Sequence, residues 1–176
     1  MSDLLLSFLR ALVYILPAYI ANATPVITRG GPPLDFGKKF VDGKRIFGDN
    51  KTICGFFGGL TLGTLTGLVL PLTFPLVGLD EILVSDALLL AFLLSLGTHT
   101  GDLLGSFIKR RLNLKPGSTL PLMDQLGFAV FALLFSYPFY PLLSSFELMV
   151  CLLFTLLIHP LSNIIAYLAG LKNVPW

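Results

Sequence analysis

Charge is scarce in this chain. Twelve Lys or Arg and ten Asp or Glu make up 12% of its 176 residues, about half the share usual in soluble domains. Glutamine occurs once, glutamate twice and histidine twice. A water-soluble domain needs a charged coat over its helices, so the composition excludes that class. Cysteine is equally sparse. Cys54 and Cys151 stand far apart, both in apolar runs, which predicts buried thiols rather than a disulfide or a clustered-thiol metal site. No G-x-x-x-x-G-K-[ST] phosphate loop occurs.

What fills the chain instead is apolar sequence. Uncharged runs cover 11–28, 52–79, 125–146 and 148–171, with a shorter one at 87–101. Several reach the ~20 residues that a helix needs to cross ~30 Å of hydrocarbon. The fold class expected is all-α, a polytopic membrane protein with about five transmembrane helices, near 3–28, 53–75, 81–109, 123–143 and 146–171. Residues 1–176 then form a single membrane-embedded domain, with a Gly-rich basic loop at 29–52 and a second basic loop at 109–122. Eleven of the twelve basic residues fall in these loops or at Lys172 on the tail. The positive-inside rule places both loops and the C-terminus in the cytoplasm. Five spans then put the N-terminus outside. The first segment carries Asp3 and no base before Arg10, so it reads as a retained helix and not as a cleaved signal.

The charges that remain are concentrated around residues 101–128. Asp102 ends a long apolar run; Lys109, Arg110, Arg111 and Lys115 follow; Asp124 opens the next run. Two carboxylates and four cations at one face of a bilayer suit a divalent metal holding a polyphosphate, the acids giving hard oxygen and the bases neutralising phosphate. Asp102, Ser106 and Lys109 recur at helical spacing and share one face. Asp102 lies roughly 10 Å inward from Lys109 along the axis, and an ionisable residue at that depth is a functional candidate. Asp124 in a first turn also suits the helix dipole.

Other segments carry weaker signals. Pro17 and Pro25 bend the first helix, and Asn22 beside them either satisfies the kink or faces a polar cavity. Loop 29–52 holds Gly30, Gly31, Asp35, Lys38, Lys39, Asp42, Gly43, Arg45 and Lys51, glycines and cations interleaved as phosphate binding requires. Gly55, Gly59, Gly63 and Gly67 repeat every four residues, a ridge for close helix packing. His99 reads as a hydrogen-bonding partner. His159-Pro160 with Asn163 reads as a polar-stabilised kink.

The block G-D-x-x-x-S-x-x-K-R at 101–110, with Lys115, Leu120-Pro121 and Asp124, resembles the signature of phosphatidate cytidylyltransferases. The amino-terminal blocks are similar to those of a narrower archaeal branch, the CTP:geranylgeranylglycerol-phosphate cytidylyltransferases. These blocks are Asn22-x-x-Pro25-Val26, Gly30-Gly31-x-Pro33-x-Asp35-x-Gly37, and Asp42-Gly43-x-Arg45-x-x-Gly48-x-x-Lys51-Thr52-x-x-Gly55. The wider signature has His-Gly-Gly before the second acid, Arg after it and another Asp two residues on. This chain has Leu122-Met123 before Asp124, then Gln125 and Gly127, which favours the archaeal branch.

The resemblance implies transfer of CMP from CTP to 2,3-bis-geranylgeranyl-glycerol 1-phosphate, with release of pyrophosphate. It implies Asp102, Asp124 and Lys109 as catalytic residues, the two acids as ligands of Mg²⁺. Asn22, Gly30, Gly31, Asp35, Lys38, Lys39, Asp42, Gly43, Arg45, Lys51, Ser106 and Arg110 are implied in substrate binding. CTP, the lipid phosphate and the bilayer are the expected partners, with no nucleic acid. A CTP-dependent polyprenol kinase and a small membrane transporter are the alternatives. The first would need a base for a hydroxyl, and the second would spread polar groups through the membrane.

Overall fold

A computed structural model describes residues 3–28, 30–115 and 117–175. Seven α-helices occur among them: α1 Asp3–Ala23, α2 Pro25–Thr28, α3 Ile53–Leu65, α4 Leu70–Thr73, α5 Val84–Arg111, α6 Met123–Ser136 and α7 Ser145–Leu168. No strand forms among the described residues; isolated bridges join Pro33 to Thr52 and Lys39 to Arg45. The all-helical membrane architecture expected from the sequence is the one found.

Three helical units are long and apolar enough to cross a bilayer, Asp3–Thr28, Val84–Arg111 and Ser145–Leu168. The expected single helix over 53–75 is broken instead. Ile53–Leu68 and Leu70–Val77 meet at a bend of 40°, because Pro71 and Pro75 each remove a backbone donor and restrict the preceding residue. The helix expected over 123–143 stops at Ser136, two residues before Pro138. Its 14 residues span only about 21 Å. Five apolar segments are thus present, but one is bent and one is short.

The core is assembled around α5, which packs on α1, α3 and α6. Ala11, Tyr14, Ile15, Leu90, Leu94 and Ala132 are fully buried there. The glycine ridge of α3 packs as its spacing predicts. A Cβ at Gly59 would lie 2.5 Å from His99 Nε2 and 2.6 Å from the Ala21 carbonyl, and one at Gly67 would lie 2.6 Å from the Ala87 carbonyl. The seam between α5 and α6 is as tight, since a Cβ at Gly101 would lie 2.5 Å from the Gly127 carbonyl. Close backbone approach replaces a hydrophobic driving force between helices in lipid. Cys151 is buried as expected and donates to the Ala11 carbonyl at 3.4 Å, but Cys54 is exposed. The apolar run around Cys54 faces outward at that point, so only one thiol is a core group.

Candidate active site

The 30–52 loop is built on one acid. Asp35 is buried and accepts from the Arg45 guanidinium at 2.7 and 3.3 Å, and from the backbone N–H groups of Gly37, Phe47 and Gly48 at 3.0, 2.9 and 3.0 Å. Burial alone would raise this carboxyl. Arg45 and the three backbone donors outweigh it and hold the group far below the ordinary carboxylate range. Arg45 also pairs with Asp49 at 2.7 Å. The loop is then stapled to the end of α5. Arg111 pairs with Asp42 at 2.8 Å and stacks over Phe107 at 4.2 Å, and Lys44 Nζ donates to the Arg111 carbonyl at 2.7 Å. Cations in this last turn also complement the α5 dipole.

Stapling the loop in this way brings Lys51 over α5. Lys51 Nζ bonds both oxygens of Asp102, at 2.6 and 2.5 Å. Two turns further along α5, Lys109 Nζ donates to Asp124 Oδ1 at 2.7 Å. The second Asp124 oxygen accepts the Leu120 N–H at 2.8 Å, which fixes the entry to α6. Both acids therefore face one space, each bonded to a lysine ammonium.

That space is a cavity of about 600 Å³, within the range of small-molecule sites. Asn22, Lys51, Asp102, Ser106, Lys109, Arg110 and Asp124 line it, and so do Thr52, His99, Ser118, His159, Asn163 and Lys172. Both basic loops and the tail therefore gather at one end of the molecule.

A family model for CarS-like CDP-archaeol synthase matches residues 1–176. The chain belongs to the CDP-archaeol synthase family. The CDP-archaeol synthase of Pyrococcus furiosus is 50% identical over 168 residues, covering 96% of this chain and 98% of the relative. That of Methanocaldococcus jannaschii is 45% identical over 170 residues, covering 94% and 96%. A solved structure, described as an intramembrane enzyme for archaeal membrane lipids biosynthesis, superposes with a TM-score of 0.78 at 35% identity, covering 89% of this chain and 94% of its own. Family membership carries the activity in coarse form: CTP-dependent formation of CDP-archaeol, by a multi-pass membrane transferase of lipid biosynthesis.

The expected site residues divide into two sets. Asn22, Lys51, Asp102, Ser106, Lys109, Arg110 and Asp124 meet at the cavity. Gly30, Gly31, Asp35, Lys38, Lys39, Asp42, Gly43 and Arg45 are not part of its wall. Asp35, Arg45 and Asp42 are engaged in the loop's own bonds, and Gly43 takes φ 75°, a turn that suits glycine. Gly31 lies against Cys54 Sγ, and Lys38 and Lys39 are exposed.

His159 and Asn163, read from the sequence as a polar-stabilised kink, face the cavity, and α7 continues as a helix through Pro160. Lys172 and Asn173, from the tail, complete that wall. Polar residues spaced by four near the end of an otherwise apolar helix were the available signal.

The donor set suits one type of metal. No trio of His, Cys, Asp or Glu able to hold an ion forms among the described residues. Two carboxylates facing one cavity match an ion that takes one or two protein oxygens and completes its shell with water and substrate phosphates. Lysine partners do not oppose this, because an ammonium is a mobile point charge that a phosphate can draw aside.

Proposed function

We propose that the cavity binds CTP and the phosphate of an isoprenoid glycerol ether lipid, such as 2,3-bis-geranylgeranyl-glycerol 1-phosphate, and transfers CMP between them. The observation that carries this reading is the convergence of Asp102, Asp124, Lys51, Lys109 and Arg110 on one cavity at the end of a membrane-embedded bundle. In the reaction a lipid phosphate oxygen forms a bond to the α-phosphorus of CTP. The bond from that phosphorus to the bridging oxygen breaks, and pyrophosphate leaves with the electron pair. The nucleophile is already an anion, so no general base is required.

The chain's contribution is alignment and charge neutralisation. Lys51 and Lys109 turn from their carboxylates toward nucleotide phosphates, and Arg110 adds a planar donor set suited to phosphate oxygens. Asp102 and Asp124 would hold Mg²⁺, which when bound neutralises charge on the phosphates. Ser106 and Asn22 provide polar lining beside them. The Asp35 clamp holds the 30–52 loop over the site, so that Lys51 reaches α5. The basic loops and the tail lie in the cytoplasm and the N-terminus outside, in keeping with the charge bias.

The test uses detergent-solubilised protein, Mg²⁺, the lipid phosphate and CTP labelled either on cytidine or on the γ-phosphate. Cytidine label enters the lipid phase, and Asp102→Asn and Asp124→Asn lose the transfer. Entry of γ-label into a lipid alcohol would instead identify a kinase. Transfer of neither label by folded protein would sink the enzymatic reading.

A further inference from the structure

The C-terminal tail reverses onto the cavity, and the reversal is encoded locally. Gly170 adopts φ 71° just past α7, the left-handed cap that glycine makes without strain. The N–H groups of Leu171 and Lys172 return to the Ala166 carbonyl at 2.8 and 3.3 Å, satisfying a carbonyl at the helix end. Lys172 Nζ then donates to Asn163 Oδ1 at 2.9 Å, and Asn163 Nδ2 lies 3.5 Å from His159 Nδ1. The His159 ring packs on Phe128 with centroids 5.8 Å apart. An ammonium is thereby fixed on a wall of the cavity that neither basic loop supplies.

The helix behind that wall carries an exposed apolar face. α7 packs on α1 and α6 and buries only Glu147, Cys151 and Thr155. Leu161, Ile164, Ile165 and Leu168, on its last turns, are exposed apolar residues suited to lipid chains. Lys172 therefore stands where an apolar face meets the polar cavity. A substrate with an anionic head and long apolar chains has that same division.

We propose that Lys172, presented by the folded tail and held by Asn163, binds the phosphate of the lipid substrate, while Lys51, Lys109 and Arg110 serve the nucleotide. This deepens, and rests on, the cytidylyl-transfer reading above. The electrostatics agree. Burial pulls the Lys172 ammonium below its ordinary range, with repulsion from Lys51 and Lys109 adding to that and Asp124 opposing it. An anionic phosphate bound at Lys172 offsets the repulsion from Lys51 and Lys109. Asn163 acts as a positioning residue, because it touches Lys172 and orients it.

The full chain is assayed in detergent for turnover with each substrate varied in turn. Equilibrium binding of CTP and of the lipid phosphate is measured separately. Lys172→Ala raises KM and Kd for the lipid phosphate roughly 10- to 100-fold, the range of a lost charge-assisted hydrogen bond, and leaves Kd for CTP within about twofold. Lys172→Arg restores most of the lipid affinity, and Asn163→Ala gives an intermediate loss. Unchanged lipid affinity in Lys172→Ala, or an equal loss of CTP affinity, overturns the assignment while wild-type cytidylyl transfer leaves the main reading intact. A wild type that transfers no cytidine overturns the main reading, and the lipid-phosphate binding data then decide whether Lys172 is an anion site.

Discussion

Asp35 and Asp102 both answer cations near the same end of the molecule, and they are held in opposite ways. Asp35 has no exposed side-chain surface and five donors, two from one guanidinium and three from backbone. Asp102 keeps 37% of its side chain exposed to the cavity and pairs with the Lys51 ammonium, whose side chain is 25% exposed. A carboxylate saturated by rigid donors has nothing left to offer a substrate. One matched by a single mobile ammonium can exchange it for a metal or release it to a phosphate. The comparison separates an acid that builds the loop from one that faces the cavity, although both sit in segments rich in glycine and lysine.

Substituting each acid by its neutral isostere sharpens that contrast. Asp102→Asn, like Asp124→Asn, should lower cytidine transfer by about 10²–10³-fold or more, the scale of one lost electrostatic contact in a transition state. Its melting temperature should stay within a few degrees of wild type, since the hydrogen bonds Asp102 accepts in its side chain come from the half-exposed Lys51. Transfer that survives in Asp102→Asn would erase the distinction.

Asp35→Asn should do the reverse. It leaves a half-exposed guanidinium and three backbone donors poorly matched, a destabilisation of about 1–3 kcal/mol, read as a lower melting temperature and as proteolytic nicking within residues 30–52. Activity falls through a weaker hold on CTP, because Lys51 is carried by the same loop. The pH dependence follows from the same bonds. The folded Asp35 carboxyl titrates well below its unfolded value of about 3.9. Its stabilisation is therefore fully present above pH ~4 and is lost as pH falls from there toward the folded value. Wild type should show that acid limb in a pH–melting profile, and Asp35→Asn should show a reduced one.

The helices and the two cavity acids were legible in the sequence for the same reason: charge is so rare here that each carboxylate at the edge of an apolar run stands out. The pairings were not. Lys51 meets Asp102 across 51 positions, and no periodicity links a loop lysine to a helix face. Asp35 could not be told from a phosphate-binding loop acid, because its donors lie 2 to 13 residues away in irregular chain. The break between α3 and α4 was written in Pro71 and Pro75, yet the long apolar run argued more loudly for one span. The tail's return was marked only by Gly170, whose role as a helix stop is ordinary until the residues after it are seen on the cavity wall.

Packing beneath the site offers a third point on the scale. A Cβ at Gly63 would lie 3.0 Å from the Pro17 carbonyl and closer still to Ser95 Oγ, so Gly63→Ala forces α1, α3 and α5 apart. Overpacking of this kind destabilises by about 1–3 kcal/mol. It should lower the melting temperature in detergent and reduce kcat with little change in either substrate's KM. A selective rise in one KM would mean that α3 touches that substrate.

The opposite end of the bundle gives the smallest effect and the cleanest control. There Ser144 caps α7: its hydroxyl accepts the Glu147 N–H at 3.3 Å, and Glu147 Oε2 accepts the Ser144 N–H at 2.8 Å. Arg10 stands 3.7 Å from Glu147 and donates to the Val77 and Gly78 carbonyls at 2.7 and 2.8 Å, tying α1 to the turn after the broken helix. This cluster is polar and cross-linked like the cavity, but its partners satisfy one another. Ser144→Ala removes the cap and should destabilise by about 1 kcal/mol, seen as a drop of a few degrees in melting temperature. Cytidine transfer and both KM values should be unchanged below the new transition, because no cavity residue moves. A loss of transfer with the fold intact would show that the two ends are coupled through α7, and the separation between architectural and reactive polar groups would have to be redrawn along that helix.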